Sequence, residues 1–159
     1  MPRLREVSRK EADPSCLPLF DALFGKERDP VSDPGTATGT PGNWWTVFAL
    51  VPDCFHHAVN GFQFYRSKNR KLKANYRELG QARAGYSRGS RFVFSQHCKA
   101  LRASGFSEDQ IASIPSWATS ACFNEIEAAV LAYTDDLVLG GGRVSDGTFK
   151  VLQQHFSDE

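Results

Sequence analysis

Residues 76–106, YRELGQARAGYSRGSRFVFSQHCKALRASGF, decide the fold of this chain because they hold two consecutive helical patterns. Ser87, Gly89 and Ser90 mark the junction between them. The first pattern contains one glutamate, Glu78, and the second contains one histidine, His97. Histidine changes its charge near neutral pH, and a neighbouring carboxylate can assist it. The stretch therefore predicts a helical pair that brings an acid/base couple together.

The composition is that of an ordinary globular protein. The chain has 159 residues, 41% of them hydrophobic and 23% charged, which favours a single domain over residues 1–159. Its net charge is only +1, which gives no basic surface for nucleic acid. The apolar runs are too short to span a membrane, and the charged residues 1–14 lack the apolar core of a secretory signal. We expect residues 1–14 to be mobile, and no nucleic-acid or membrane partner.

Four cysteines are spread along the chain without a C-x-x-C pair, which is typical of reduced intracellular thiols. They are Cys16, Cys54, Cys98 and Cys122. We therefore expect a cytoplasmic protein without disulfides. Asp53 and His57 stand four residues apart on a predicted helix, but two ligands do not make a metal site. The sequence predicts no metal and no cofactor.

Helical periodicity dominates the chain after a long loop over residues 26–42, and no segment shows a sustained period of two. We therefore predict an all-α fold. Predicted helices cover residues 17–24, 44–50 with Asn43 as cap, 52–65, about 72–86, 90–104, a short one from Ser107 ending before Pro115, one from Asn124 to the glycines at 140–142, and 145–156. The face of the fourth helix is predicted to comprise Leu72, Tyr76, Leu79, Arg83 and Tyr86.

The helix after Asn124 has the clearest apolar face, with residues spaced at i, i+3, i+4, i+7 and i+11. These residues are Ile126, Ala129, Val130, Tyr133 and Leu137. Such a face, in a chain with 19 aromatic residues (12 Phe, 4 Tyr and 3 Trp), predicts leftover apolar surface and a homo-oligomer, a trimer first and a dimer second. Asp135 and Asp136 are expected on the polar face. Residues 157–159 look like the start of a further helix, which we expect to be missing.

The order and spacing of several phrases resemble the carboxymuconolactone decarboxylase and alkylhydroperoxidase D-like superfamily over roughly the last 110 residues. The phrases are Arg77-Glu78-Leu79, Gly89-Ser90, Ser95-Gln96-His97, residues 105–111 (GFSEDQI), residues 128–138 (AAVLAYTDDLV) and residues 142–159 (GRVSDGTFKVLQQHFSDE). The resemblance implies an intracellular, usually oligomeric helical bundle that acts on a small molecule.

The peroxidase branch of that superfamily uses a Glu, a C-x-x-C and a His. Its spacing implies Glu78, Ser90, Val93 and His97 here, so the outer pair is present and both redox cysteines are replaced. Cys98 follows His97 but points about 100° away on a helix. The decarboxylase branch often carries Tyr-Glu-Trp before the His, where this chain has Phe92-Val93-Phe94. The resemblance therefore implies the family's frame with altered chemistry.

Each candidate residue also has a structural explanation. Ser90 is most simply a helix cap, and His97 is typical of a core histidine on an apolar face. The helical pattern makes Glu78 a solvated charge, whereas the family position brings it inward, where burial would raise its pKa and suit it to general acid work. We predict His97 and Glu78 as catalytic residues. The predicted substrate-binding residues are Ser90, Val93, Phe94, Trp44, Trp45 and Phe48.

Three functions remain open from the sequence. The first is a non-redox enzyme in which His97 and Glu78 move a proton on a small carbonyl, phenolic or lactone substrate, as in decarboxylation, isomerisation, dehydration or cyclisation. The second is an alkylhydroperoxidase-like oxidoreductase, against which the missing C-x-x-C counts. The third is a catalytically inactive helical binding or scaffold protein.

Overall fold

The computed structural model describes residues 2–36 and 39–159, and in those ranges it contains eight α-helices and no β-strand. The all-α prediction is confirmed. The helices are α1 Leu17–Phe24, α2 Asn43–Phe48, α3 Pro52–Tyr65, α4 Ala74–Ser87, α5 Arg91–Ala103, α6 Glu108–Ser113, α7 Glu125–Val138 and α8 Asp146–His155. Short 3-10 helices cover Pro14–Cys16 and Ile114–Thr119.

The chain forms two compact units, residues 1–70 and residues 71–159, and each has its own apolar cluster. Phe20 and Phe55 lie at the centre of the first cluster and are fully buried. The single domain over residues 1–159 remains a prediction. The predicted loop over residues 26–42 contains no helix in its described part, and residues 37 and 38 lie outside the described residues.

Residues 6–9 make contacts that the sequence did not predict, since residues 1–14 were expected to be mobile. Of these, residue 1 lies outside the described residues. The backbone N–H of Val7 donates to the carbonyl of Thr46 over 3.1 Å, and the Thr46 hydroxyl donates to the Glu6 carboxylate over 2.8 Å. Arg9 donates to the Asp21 carboxylate over 2.8 Å and to the carbonyl of Arg28 over 2.7 Å. This segment is therefore packed within the first unit.

Helix α4 is central to the second unit, where it packs against α5 and α7, and α7 packs in turn against α8. The shared cluster of this unit contains residues from α4, α5, α6 and α7 and from the segments between them. Its buried members are Leu79, Ala82, Cys98, Leu101, Phe106, Ile111, Ile114 and Leu131. Burial of this cluster fixes the rotation of α4 and α5 about their axes, which decides where their polar side chains point.

The helix starts predicted from polar caps are largely confirmed. Ser107 and Asn124 both form capping boxes with the residue three positions later, and Ser90 and Ser145 cap α5 and α8. The cap predicted at Asn43 is wrong. Gly42 takes the capping position with a left-handed φ of 77°, so Asn43 lies inside the first turn, and α2 ends at Phe48 rather than Leu50.

Two predicted helix faces need correction. On α4, Leu72 lies before the first helical residue and Tyr86 is exposed. Because α4 packs between two helices, it buries a broader surface than one stripe, which includes Glu78, Ala82 and Gly85. On α7 the buried residues are Glu127, Ala129, Leu131 and Thr134. Of the predicted stripe, Ala129 is buried and Val130 packs against the shared cluster. Ile126, Tyr133 and Leu137, together with Val130, line a cavity.

None of the helices in the described ranges is both long enough and apolar enough to cross a lipid bilayer.

Candidate active site

Glu78 and His97 reach each other because each stands next to a core residue. Leu79 in α4 and Cys98 in α5 are 0% and 4% exposed, and they anchor the two helices in the shared cluster. The residue before each anchor is turned by about 100° and lies at the edge of the cluster. There the imidazole Nδ1 of His97 is 2.6 Å from Oε2 of Glu78. The structure thus brings together the two predicted catalytic side chains, and their catalytic role remains a prediction.

The close approach of α4 and α5 is set at Gly85. The N–H of Ser90 donates to the carbonyl of Gly85 over 2.9 Å. A Cβ atom on Gly85 would lie 2.8 Å from the backbone nitrogen of Phe94 and 2.8 Å from Cγ1 of Val93. A side chain larger than hydrogen at this position would therefore push the two helices apart.

Arg77 completes the carboxylate's surroundings. Its Nη2 donates to Oε1 of Glu78 over 3.1 Å, so each carboxylate oxygen has a partner. Burial favours the neutral acid, but the hydrogen bonds from His97 and Arg77 outweigh it and hold the pKa of Glu78 below its usual value. The expectation that burial makes Glu78 a general acid is therefore wrong, because two donors stabilise its ionised form.

The ionised state of Glu78 determines how His97 is protonated. A carboxylate can only accept hydrogen bonds, so the Nδ1 of His97 must carry the proton that it donates. This leaves Nε2 as the ring atom that can accept or release a proton. The His97 side chain is 22% exposed, whereas that of Glu78 is 11% exposed. The imidazole is therefore held by the more buried carboxylate while part of its own ring stays exposed.

Three predicted substrate-binding residues, Ser90, Val93 and Phe94, lie at the start of α5, within seven positions of His97. In the structure each of them takes part in capping or packing. The Ser90 hydroxyl accepts from the N–H of Val93 over 3.3 Å, which is the predicted cap. Val93 contacts Gly85, and Phe94 packs against the shared cluster. Their role in binding a substrate remains a prediction.

Trp44, Trp45 and Phe48 lie in the first unit and pack on one another. The ring centroids of Trp44 and Trp45 are 4.3 Å apart, and those of Trp44 and Phe48 are 4.9 Å apart. Phe62 adds an edge contact to both indoles. These aromatic residues support the first unit, and their predicted role as a pocket wall stays a prediction.

A second carboxylate network was missed from the sequence, where Asp135 was expected on a polar face. Arg83 donates to Asp135 through Nε over 2.7 Å and through Nη2 over 2.9 Å, and the indole N–H of Trp117 donates to it over 2.9 Å. Arg83 also donates to the carbonyls of Ile114 and Pro115. No sequence signal links these residues, because Arg83 and Asp135 are 52 positions apart.

The two buried cysteines, Cys98 and Cys16, do not replace the missing redox pair. Burial raises the pKa of the Cys98 thiol, which disfavours the nucleophilic thiolate. Cys16 is also buried, with its thiol pKa raised by the same cause. Across residues 2–36 and 39–159, no three His, Cys, Asp or Glu side chains come together as a metal site would.

The fold and the site define an all-α protein with a carboxylate–imidazole pair between two packed helices, and comparison with known proteins identifies the family. A model of the carboxymuconolactone decarboxylase family matches residues 54–136, which is just over half of the chain and includes Glu78 and His97. This chain belongs to the carboxymuconolactone decarboxylase family.

A solved structure with the same fold comes from Agrobacterium tumefaciens. It is the crystal structure of a protein of unknown function that was provisionally named an antioxidant defence protein, AhpD. The two proteins superpose with a TM-score of 0.61 and 27% sequence identity, over 69% of this chain and 74% of that one. No functionally curated protein matches this chain.

Proposed function

We propose that this chain is an enzyme that performs non-redox acid/base chemistry on a small carbonyl, phenolic or lactone substrate. The observation that supports this proposal is the 2.6 Å contact between the His97 imidazole and the Glu78 carboxylate. A carboxylate that holds the Nδ1–H of a histidine fixes its tautomer and stabilises the imidazolium that forms when Nε2 takes a proton. The pair is therefore suited to repeated proton transfer.

In the proposed reaction His97 is the catalytic base and Glu78 is its positioning residue. Nε2 removes a proton from a carbon beside a carbonyl group, and the electron pair of the broken C–H bond moves into the enolate. The imidazolium then returns the proton to another atom of the substrate, and Glu78 stays ionised throughout. Isomerisation, dehydration and cyclisation can proceed through such a proton abstraction. In decarboxylation the broken bond is the C–C bond to the carboxylate, which supplies the electron pair of the enolate as CO₂ leaves, and a protonated His97 then delivers the proton to carbon.

The peroxidase alternative has less support. Peroxide reduction needs a thiolate to attack the peroxide and a second thiol to resolve the sulfenic acid. The positions that the peroxidase spacing assigns to these thiols are Ser90 and Val93, and the Ser90 hydroxyl caps α5. The buried thiol of Cys98 has a raised pKa, which disfavours attack. The provisional name of the Agrobacterium protein is what favours this alternative.

Proton transfer can be tested without knowing the substrate. The protein is incubated in D₂O with a panel of small ketones, phenols and lactones, and NMR follows the deuterium that enters at carbon. We expect catalysed exchange for at least one compound, and a loss of about 10²–10⁴-fold in His97→Ala. His57→Gln, which changes an exposed histidine of α3, serves as the control and should keep the wild-type rate.

The same experiment separates the alternatives. Catalysed exchange that survives in His97→Ala would refute the proposed role of this residue. No exchange with any compound, in a protein shown to be folded by circular dichroism, would favour the inactive binding or scaffold protein. We further propose a homo-oligomer, a trimer first and a dimer second, since Tyr86 and Phe92 leave apolar surface exposed. The four cysteines without a C-x-x-C pair support the proposal of a cytoplasmic location.

A further inference from the structure

A cavity of about 770 Å³ lies between α4, α7 and α8 in the second unit, and neither Glu78 nor His97 lines it. Its walls are mostly apolar and aromatic. They include Tyr76, Val130, Tyr133, Leu137, Leu152 and Phe156. Small-molecule sites typically have volumes of about 300–1,000 Å³, with apolar walls and a few polar groups. The cavity has the size and lining of such a site.

The tail after α8 closes one end of this cavity. The rings of Tyr76 and Phe156 form an edge contact with centroids 5.5 Å apart. The Lys71 ammonium is 3.4 Å from the carboxylate of Glu159, and the Lys71 N–H also donates to Glu159 over 3.4 Å. These contacts tie the tail to the segment that leads into α4. The tail therefore lines the cavity together with α4, α7 and α8, and the volume of the cavity is in the range of a small-molecule site.

Cationic side chains gather at the same end. Lys71, Lys73 and Arg77 all line the cavity, and the acids that line it are Asp158 and Glu159 on the tail. Glu159 is already paired with Lys71. The Arg77 side chain is 20% exposed, compared with 69% for Lys71, so Arg77 is the more shielded cation. Charge-assisted hydrogen bonds from a guanidinium to a carboxylate are strong and directional.

We propose that this cavity binds a small amphipathic monocarboxylate. Its carboxylate lies against Arg77 and its acyl or aryl body lies along Val130, Tyr133 and Leu152. Arg77 also donates to Glu78 over 3.1 Å. The carboxylate of the ligand would therefore share Arg77 with Glu78 without contacting Glu78 or His97 itself. This binding site is separate from the proposed catalytic residues and does not depend on the proposed reaction.

Calorimetric titration with decanoate and with decanol, both below aggregation, tests the site. We expect decanoate to saturate one site per chain, and decanol, which has the same chain without the charge, to bind about tenfold more weakly. Arg77→Met should weaken decanoate about tenfold and leave decanol unchanged. Lys99→Met, which removes an exposed cation from α5, is the control and should change neither affinity.

Filling the cavity tests its location. Leu137→Trp places a larger ring in the cavity and should weaken both ligands at least tenfold. Leu139→Trp is the matched control, because Leu139 is an exposed leucine two positions further on that does not line the cavity. Both leucines are more than one third exposed, so both variants should fold, which circular dichroism checks.

Three results would overturn the proposal. They are the absence of saturable decanoate binding, equal affinities for decanoate and decanol, and equal effects of the two tryptophan variants. A wild-type oligomer that dissociates in Leu137→Trp and binds no decanoate would assign the cavity to a contact between copies. His97→Ala should bind decanoate like the wild type, so a failure of the proposed proton transfer is recognised independently of this site.

Discussion

Two partly buried carboxylates of the second unit, Glu78 and Asp135, are held by arginines of the same helix, yet their surroundings differ in kind. Asp135 accepts two hydrogen bonds from Arg83 and one from the indole of Trp117. None of these donors releases its proton at ordinary pH. Glu78 accepts from Arg77 and from the imidazole of His97, which can exchange a proton through its other nitrogen.

This difference separates a structural carboxylate from one suited to catalysis. Arg83 also donates to the carbonyls of Ile114 and Pro115, so the Asp135 network ties α4 and α7 to the 3-10 helix between α6 and α7. The contact between Glu78 and His97 joins α4 and α5, and its histidine stays partly exposed. Removing the first network should therefore affect mainly stability, and removing the second should affect mainly proton transfer.

The largest effect is expected for Glu78→Gln on the exchange reaction. The glutamine amide can donate to Nδ1 and thereby favour the wrong tautomer of His97. Replacing the orienting carboxylate of a catalytic triad by its amide costs about 10⁴-fold. We expect a loss of about 10³-fold here in the NMR exchange rate.

Asp135→Asn is the matched control for this substitution. It changes the other carboxylate to its amide, and in the folded protein it should leave the exchange rate within about twofold of the wild type, because Asp135 has no part in the proposed proton transfer. Equal losses of activity in the two variants would erase the distinction between the two carboxylates.

Arg83→Met should have the largest effect on stability. It leaves Asp135 as a partly buried charge without its bidentate partner and removes two donors to backbone carbonyls. We expect a loss of about 3 kcal/mol in the free energy of unfolding, at the low end for a broken buried ion pair since Asp135 is partly exposed. Urea unfolding followed by circular dichroism measures it. A change below about 1 kcal/mol would show that the network contributes little.

A smaller effect is expected on the pH dependence of stability. Because the pKa of Glu78 is lower in the folded state, its carboxylate stabilises the fold above its unfolded-state pKa of about 4.3. That contribution disappears as pH falls through the lower folded-state pKa. We expect the free energy of unfolding of the wild type to exceed that of Glu78→Gln by about 1 kcal/mol at neutral pH, which is the usual net contribution of a hydrogen bond. In acid this difference should disappear. Urea unfolding at a series of pH values checks the sign.

Much of the helical architecture could be predicted from the sequence because its signals are local. Capping boxes at Ser107 and Asn124, the proline at the start of α3 and the glycines after α1 and α5 act within a few residues. The proximity of Glu78 and His97 came instead from the family spacing, since helical periodicity alone placed Glu78 among solvated charges.

The remaining features follow no local sequence pattern. The contact between Arg77 and Glu78 joins adjacent positions, whose side chains do not normally face each other on a helix. The Arg83–Asp135 pair joins distant positions, and nothing in either segment indicates it. On α7 a regular apolar stripe faces a cavity while Leu131 is buried, because this helix contacts both α4 and α8.

Gly85 has a mechanical consequence for the Glu–His contact. The helices α4 and α5 approach each other closely at Gly85 and Val93. Glu78 lies seven residues before Gly85 on α4, and His97 lies four residues after Val93 on α5. At a rise of about 1.5 Å per residue, Glu78 and His97 are about 10 Å and 6 Å from this point along their helix axes. A small change in the angle between α4 and α5 at Gly85 therefore moves the imidazole of His97 by a larger distance. The methyl group of a Gly85→Ala variant, far from the reacting atoms, would be enough to lengthen the hydrogen bond between His97 and Glu78.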